Sequence, residues 1–187
     1  REMYFGGTFQ TRAEENGEKY IDAYFAVFNQ ETEIWPGAYE QIAPGAFTNS
    51  LYNNDIRCLF NHDSGLVLGR TGNQTLTLAE DEHGLKGSVR INPNDKQAMD
   101  IYARVERGDI AGCSFGFSPV AEDTEWRDDG TVHWMIKEAD TAEVSICTFP
   151  AYPQTSVMAR KQGFEEARRQ RMEQEKEALK KRLEALK

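Results

Sequence analysis

The decapeptide GDIAGCSFGF, Gly108 to Phe117, constrains this chain more than any other stretch. Upstream of it Ala98, Ile101, Tyr102 and Val105 recur at i, i+3, i+4 and i+7, which predicts a helix from about Asp95 to Arg107, capped by Asn94 and stopped by Gly108. Downstream, the Phe115-Gly116-Phe117 alternation predicts a strand whose rings point one way and whose Ser114 hydroxyl points the other. A serine so placed is either an ordinary polar strand residue or a nucleophile. The second role requires a base and a group that orients the base.

Two other stretches supply such groups. Asp55 to His62 alternates as a strand with Ile56, Cys58, Phe60 and His62 on one face, so His62 is expected to end it and to open onto the loop Asp63-Ser64-Gly65. Glu143 to Phe149 also alternates, with Val144, Ile146 and Phe149 mainly apolar and Glu143, Ser145 and Cys147 on the opposite face; Pro150 and Pro153 end it.

The remaining body reads as short strands. Tyr20 to Phe28 is rich enough in aromatic and β-branched residues for a buried strand, and turn signals follow to Pro36-Gly37. Pro44 opens a short helix that carries Phe47 and Leu51 inward. Thr75–Ala79 with Leu85–Ile91, and Thr124–Arg127 with Thr131–Lys137 around Asp128-Asp129-Gly130, read as two hairpins. Many short strands with one or two helices predict an α+β, mainly β fold, a closed or nearly closed β-barrel with flanking helices. From Arg160 the composition turns to Arg, Lys, Glu, Gln, Ala and Leu, and Met172, Leu179 and Leu186 recur every seven residues. The expected division is a body over 1–159 and a charged helical tail over 160–187, either a solvated single helix or a short coiled coil.

Charge and cysteine usage narrow the function classes. The net charge of −9 divides into 12 Lys+Arg against 25 Asp+Glu in residues 1–159 and 10 against 6 in residues 160–187, so an acidic body carries a basic tail. That balance argues against nucleic-acid binding by the body. No apolar run approaches the ~18 residues of a membrane span. Cys58, Cys113 and Cys147 are odd in number and lack metal-ligand spacing, which predicts a reducing, cytoplasmic setting without a disulfide framework.

Acyl transfer by serine needs a hydroxyl, a neutral imidazole to take its proton and a carboxylate to fix the imidazole tautomer. Ser114, His62 and Glu143 are the candidate trio. Asp63 follows His62 directly, but adjacent side chains on an extended chain diverge, so it is read as a loop or cap residue. Cys113 faces away from Ser114 and is read as core. A metal site built from His62, His83, His133 and Glu143 lacks an HExxH or comparable pair, and no cofactor is expected.

The combination of PGAF at Pro44–Phe47, FNHD at Phe60–Asp63, LGR at Leu68–Arg70, a helix before GCSFGF, and EVSICTFPAYPQT at Glu143–Thr155 resembles the prohead, or capsid maturation, serine proteases of tailed DNA bacteriophages. The resemblance runs in order from about Tyr20 to Ala159. It implies a fold similar to the herpesvirus assemblins, with Ser114 as nucleophile, His62 as base and then acid, and Glu143 as third member. The assemblin relatives use a second histidine in that last place, which leaves His83 and His133 as alternatives; both are otherwise read as exposed hairpin residues. The implied substrates are the major capsid protein, its scaffold and the protease itself, inside an immature capsid in the host cytoplasm. A homodimer is implied as well. The competing expectation is a catalytically silent barrel that serves as a structural part of the capsid, with the tail as its assembly handle.

Overall fold

The computed structural model describes residues 2–6, 9–149 and 154–184. In chain order the elements are β1 (Glu2–Gly6), β2 (Gln10–Ala13), β3 (Lys19–Val27), β4 (Thr32–Trp35), β5 (Ala38–Ile42), α1 (Thr48–Asn53), β6 (Arg57–Phe60), β7 (Asp63–Arg70), a 3-10 turn at Thr71–Asn73, β8 (Leu76–Glu80), β9 (Gly84–Ile91), α2 (Lys96–Arg107), β10 (Gly112–Trp126), β11 (Val132–Cys147) and α3 (Gln154–Glu184). The chain divides into two compact units, 1–151 and 152–187, and the second consists of α3 and its flanks. Pro150 and Pro153, expected to end the last strand, lie outside the described residues.

The mainly β expectation holds, and the closed barrel does not: among the described residues the strands form two sheets. One has β2, β3, β9 and β8 in that order, all antiparallel. The other runs β1-β10-β11-β5-β4, with the β6–β7 hairpin attached to β11. β11 is long enough to pair in parallel with β5 along Val132–Ile136 and then with β6 along Glu143–Ile146. This branching gives one strand two neighbours in succession and leaves separate sheet edges instead of a closed seam.

A further difference concerns the second predicted hairpin. Thr124–Arg127 and Thr131–Lys137 are only the tip of one long antiparallel ribbon, because the strands continue back to Gly112 and forward to Cys147. The Ser114 strand and the Glu143 strand are therefore the two arms of a single hairpin. α2 matches expectation except at its cap: Asp95, not Asn94, accepts the backbone N–H groups of Gln97 and Ala98, and Gly108 closes the helix with φ +86°.

The core collects the inward faces of both sheets, with Phe25, Phe47, Phe115, Ile21, Ile56 and Ile146 fully buried. Phe115 sits between Phe47, edge-on at 5.1 Å between ring centres, and Phe117, stacked at 4.8 Å. Cys58 and Cys113 belong to this layer, so Cys113 is core as its strand position predicted.

The ribbon is not regular. Its register slips at Gly116/Phe117 and again between Pro119 and Glu122. Backbone groups freed by such slips need other partners. Buried Ser50 on α1 supplies them, donating to the Ala139 carbonyl at 2.6 Å and accepting the Thr141 N–H at 2.8 Å. Asn54 adds a bond to the Thr141 carbonyl at 2.9 Å. α1 thus pins β11 just ahead of Glu143. Ser50→Ala is expected to orphan both backbone groups and to cost about 1–3 kcal/mol, read as a lower denaturant midpoint with unchanged slope.

Candidate active site

The site is built on the polar face at the ends of β10 and β11. Alternation sends Val144 and Ile146 into the core and turns Glu143, Ser145 and Cys147 to the other face. The ribbon register pairs Gly116 with Glu143, Ser114 with Ser145 and Gly112 with Cys147. Directly paired residues share a face. One face therefore carries a column of Glu143, Ser145 and Cys147 beside a column of Gly116, Ser114 and Gly112.

His62 reaches this face by a turn that simple alternation misses. A continued strand would have put it on the side of Cys58 and Phe60. β6 ends at Phe60 instead, and Phe60 pairs with Asp63 across a two-residue loop, Asn61-His62. Both loop residues have positive φ, 53° and 59°, as a type I′ hairpin turn requires. The expected loop at Asp63-Ser64-Gly65 is in fact the start of β7. Asn61 anchors the turn: its N–H donates to the Ile146 carbonyl at 2.9 Å and its side-chain oxygen accepts the Thr148 N–H at 2.9 Å. A histidine held in left-handed backbone is uncommon, and such strain concentrates at functional positions.

So placed, His62 Nδ1 lies 2.7 Å from Glu143 Oε1, and its Nε2 lies 3.7 Å from Cys147 Sγ. Ser145 Oγ donates to the second carboxylate oxygen, Glu143 Oε2, at 2.5 Å. The carboxylate therefore has a partner on each oxygen. Its proximity to the hairpin depends on Gly116, where an added Cβ would stand 2.4 Å from Glu143 Oε1. No real Cβ tolerates that contact, so the glycine makes room for the carboxylate.

Burial works against charge on the His62 ring, but bonds to the Cys147 sulfur and the Glu143 carboxylate outweigh it and raise the pKa to about 10. Burial pushes the thiols of Cys58 and Cys113 well up from their ordinary range.

The structure brings His62 and Glu143 into contact and sets Ser114 on the same face, opposite Ser145 and 1% exposed. The two alternative histidines are engaged elsewhere. His83 is exposed at the β8–β9 turn, edge-on to Tyr24 at 4.6 Å. His133 is buried, contrary to the exposed position expected of it: its Nδ1 lies 2.7 Å from Glu31 Oε1, its Nε2 lies 3.0 Å from Thr131 Oγ1, and its ring stacks on Tyr39. The parallel pairing of β11 with β5 sets His133 beside Tyr39. Asp63 is turned to its own strand, accepting the Gly65 N–H at 2.8 Å.

Ser145, Cys147, Asn61 and Gly116 are the contributors that residue-level reading left unassigned. The strand alternation already set Ser145 and Cys147 beside Glu143, and that was the signal available. A separate cleft of about 480 Å³ runs along Gly69, Arg70, Arg90 and Asp95. Its two arginines are tied to Asp55 and Glu18, so the cleft offers little free positive charge.

A carboxylate-held imidazole on a sheet face that also carries two serine hydroxyls and a thiol is the equipment of a proton-transfer site serving a side-chain nucleophile, as in hydrolases of the serine and cysteine type. Comparison with known proteins specifies the class: the chain matches the Caudovirus prohead serine protease family over residues 7–170 and belongs to it. It is 33% identical over 144 residues to the prohead protease of Enterobacteria phage HK97, an alignment that covers 75% of this chain and 60% of that protein. It also resembles the solved bacteriophage T4 capsid assembly protease, gp21, with a TM-score of 0.48 and 10% identity over 80% of this chain and 99% of that one.

Two outcomes follow from this geometry. The His62 pKa is raised in the folded chain above its unfolded value of about 6.5, so its stabilisation is complete below that pH and is lost as pH rises through about 10. The denaturant midpoint is expected to fall between pH 7 and 10 by more in the native sequence than in Glu143→Gln. Gly116→Ala is expected to push the carboxylate aside and return the His62 pKa toward 6.5, measured by NMR titration of the imidazole in a Ser114→Ala background.

Proposed function

We propose that this chain is a serine endopeptidase of prohead maturation, with Ser114 as nucleophile, His62 as general base and then acid, and Glu143 as the group that orients His62. The single observation that carries this reading is the 2.7 Å contact between His62 Nδ1 and Glu143 Oε1. A carboxylate at Nδ1 holds the ring proton there and leaves Nε2 to exchange a proton with a nucleophile. Nε2 faces the Cys147 end of the column whose neighbouring column contains Ser114. Family membership supports the serine as nucleophile, since Ser114 is the hydroxyl in the matched GCSFGF segment.

The mechanism runs in four steps. Ser114 Oγ attacks a peptide carbonyl as its proton passes to His62 Nε2. The imidazolium, held by Glu143, then protonates the departing amine. Water enters, gives its proton to His62 and attacks the acyl-enzyme carbonyl. The final proton transfer restores Ser114. Developing negative charge on the carbonyl oxygen needs hydrogen-bond donors aimed at it, and these lie outside Gly112 to Phe115, whose backbone is paired with β1 on one edge and β11 on the other. Ser145 shares the carboxylate and limits its rotation.

The protease body is the unit 1–151, a boundary earlier than the expected 159/160, and the unit 152–187 with α3 is a basic helical tail suited to an acidic partner. The substrates are the major capsid protein and the scaffold, with self-cleavage, inside the immature capsid in the host cytoplasm. A homodimer is part of this reading, as is the absence of nucleic-acid or membrane partners. Among the described residues no helix is long and apolar enough to cross a membrane. The enclosure of Ser114 favours the competing reading, a silent structural component of the capsid.

The deciding experiment coexpresses the cognate major capsid protein with the native chain or its Ser114→Ala variant and follows processing by intact mass. Cleavage by the first and a loss of about 10⁴-fold or more in the second is the expected outcome. Equal cleavage by both removes Ser114 from the role, and cleavage by neither on assembled capsid protein supports the silent component. Because the imidazole is charged until about pH 10, kcat/KM is expected to keep climbing above neutrality, with the rising limb moved to lower pH in Glu143→Gln.

A further inference from the structure

We propose that Cys147 is a modification site within this active site: a reactive thiol served by His62, where an alkylating agent or a low-molecular-weight disulfide attaches and disables the base. The inference rests on the assignment of His62 as the base of the site.

The three thiols of the described residues differ in what surrounds them. Cys58 pairs with Val144 and Cys113 with Ile146, on the apolar face of the sheet, and both are fully buried in the core. Cys147 stands on the opposite face, in the column of Glu143 and Ser145. Its sulfur lies 3.7 Å from His62 Nε2, while the other nitrogen of that ring is 2.7 Å from Glu143 Oε1. Thiol, imidazole and carboxylate thus form a relay of the kind that activates a cysteine nucleophile. The neutral pair S–H···Nε2 and the charged pair S⁻···H–Nε2 are two ends of one proton path, and Glu143 stabilises the charged end. The Cys58 sulfur meets the Leu59 carbonyl at 4.0 Å, and burial holds the Cys58 and Cys113 thiols protonated.

Access is governed by the same opening that a substrate needs. Cys147 and Ser114 are each 1% exposed. Ser114 is paired with Ser145, so Cys147 is its diagonal neighbour, about 7–8 Å away in antiparallel geometry. An opening that admits a peptide to Ser114 also uncovers the thiol. The residue paired with Cys147 is Gly112, which has no side chain to shield it.

With iodoacetamide the thiolate, held beside the protonated His62, forms the carbon–sulfur bond as the carbon–iodine bond breaks and iodide leaves; the thiol's proton is released to solvent and His62 stays protonated. With glutathione disulfide a new sulfur–sulfur bond forms, the old one breaks, and one glutathione leaves as thiolate and takes up a proton. In both products the adduct occupies the space at Nε2, where the nucleophile's proton must arrive.

The experiment treats the full native chain at pH 7 with iodoacetamide, and separately with glutathione disulfide, and follows each cysteine by peptide mass. Carbamidomethylation of Cys147 at least tenfold faster than of Cys58 and Cys113, slowed at least tenfold in His62→Ala, supports the proposal. Glu143→Gln, which keeps the imidazole and the shape of the carboxylate, serves as second variant and is expected to slow the reaction less; circular dichroism checks that both fold. Capsid-protein cleavage should fall in step with Cys147 labelling, and whatever activity Cys147→Ala retains should resist both reagents. Labelling of Cys147 no faster than of the core thiols, an unchanged rate in both variants, or full labelling with undiminished cleavage overturns it. The mass readout is independent of proteolysis, so failure of the Ser114 assignment and failure of this one give different results.

Discussion

The antiparallel register of β10 against β11 is the constraint from which the rest of the site follows. It sets Ser114 opposite Ser145, and Gly116 opposite Glu143, on a face that the core does not claim. The opposite face is filled by Phe115, Val144 and Ile146, all fully buried. A one-residue slip would exchange these two sets and bury a carboxylate among aromatic rings. The register is therefore held by the same hydrophobic burial that stabilises the fold, and α1 secures it where the ribbon bulges, through Ser50.

Electrostatics then determine what the face can do. A half-enclosed imidazole between a carboxylate and a sulfur is stabilised in its charged form, even though burial alone would expel the proton. The carboxylate in turn keeps a hydroxyl donor on its second oxygen. Such an arrangement offsets the cost of enclosing charge by pairing and hydrogen bonding each member. It also leaves Nε2 of the same ring 3.7 Å from the Cys147 sulfur, so the carboxylate and the thiol are joined through one imidazole.

Much of the site was legible from alternation. The pattern of Glu143 to Cys147 placed three polar side chains opposite Val144 and Ile146, and the Phe115-Gly116-Phe117 pattern placed Ser114 away from the rings; the apolar cluster takes in Phe115, Phe117, Val144 and Ile146, while Ser145 and Cys147 bond to Glu143 and His62. The periodic helix ending at Gly108 is likewise found, because its apolar stripe and its glycine stop are local properties. His62 shows where such reading fails. Counting by twos put it with Cys58 and Phe60, but two left-handed residues turned the chain over, and the backbone angles that do this depend on anchors supplied by Ile146 and Thr148. His133 fails for a related reason, since its burial comes from Glu31 and Tyr39, remote in sequence.

What the sequence determined by itself is the set of strand faces, the α2 helix with its caps and the identity of the chemical groups, all of which rest on periodicity and local backbone preference. Tertiary structure alone decided that two predicted strand pairs are one ribbon, that β11 branches between β5 and β6, and that the strands form two sheets instead of a closed barrel. It alone also decided that His62 meets Glu143 across 81 positions of chain. Strand pairing is a long-range choice made by whichever register buries the most apolar surface while satisfying the backbone, and no local pattern of residues contains that comparison.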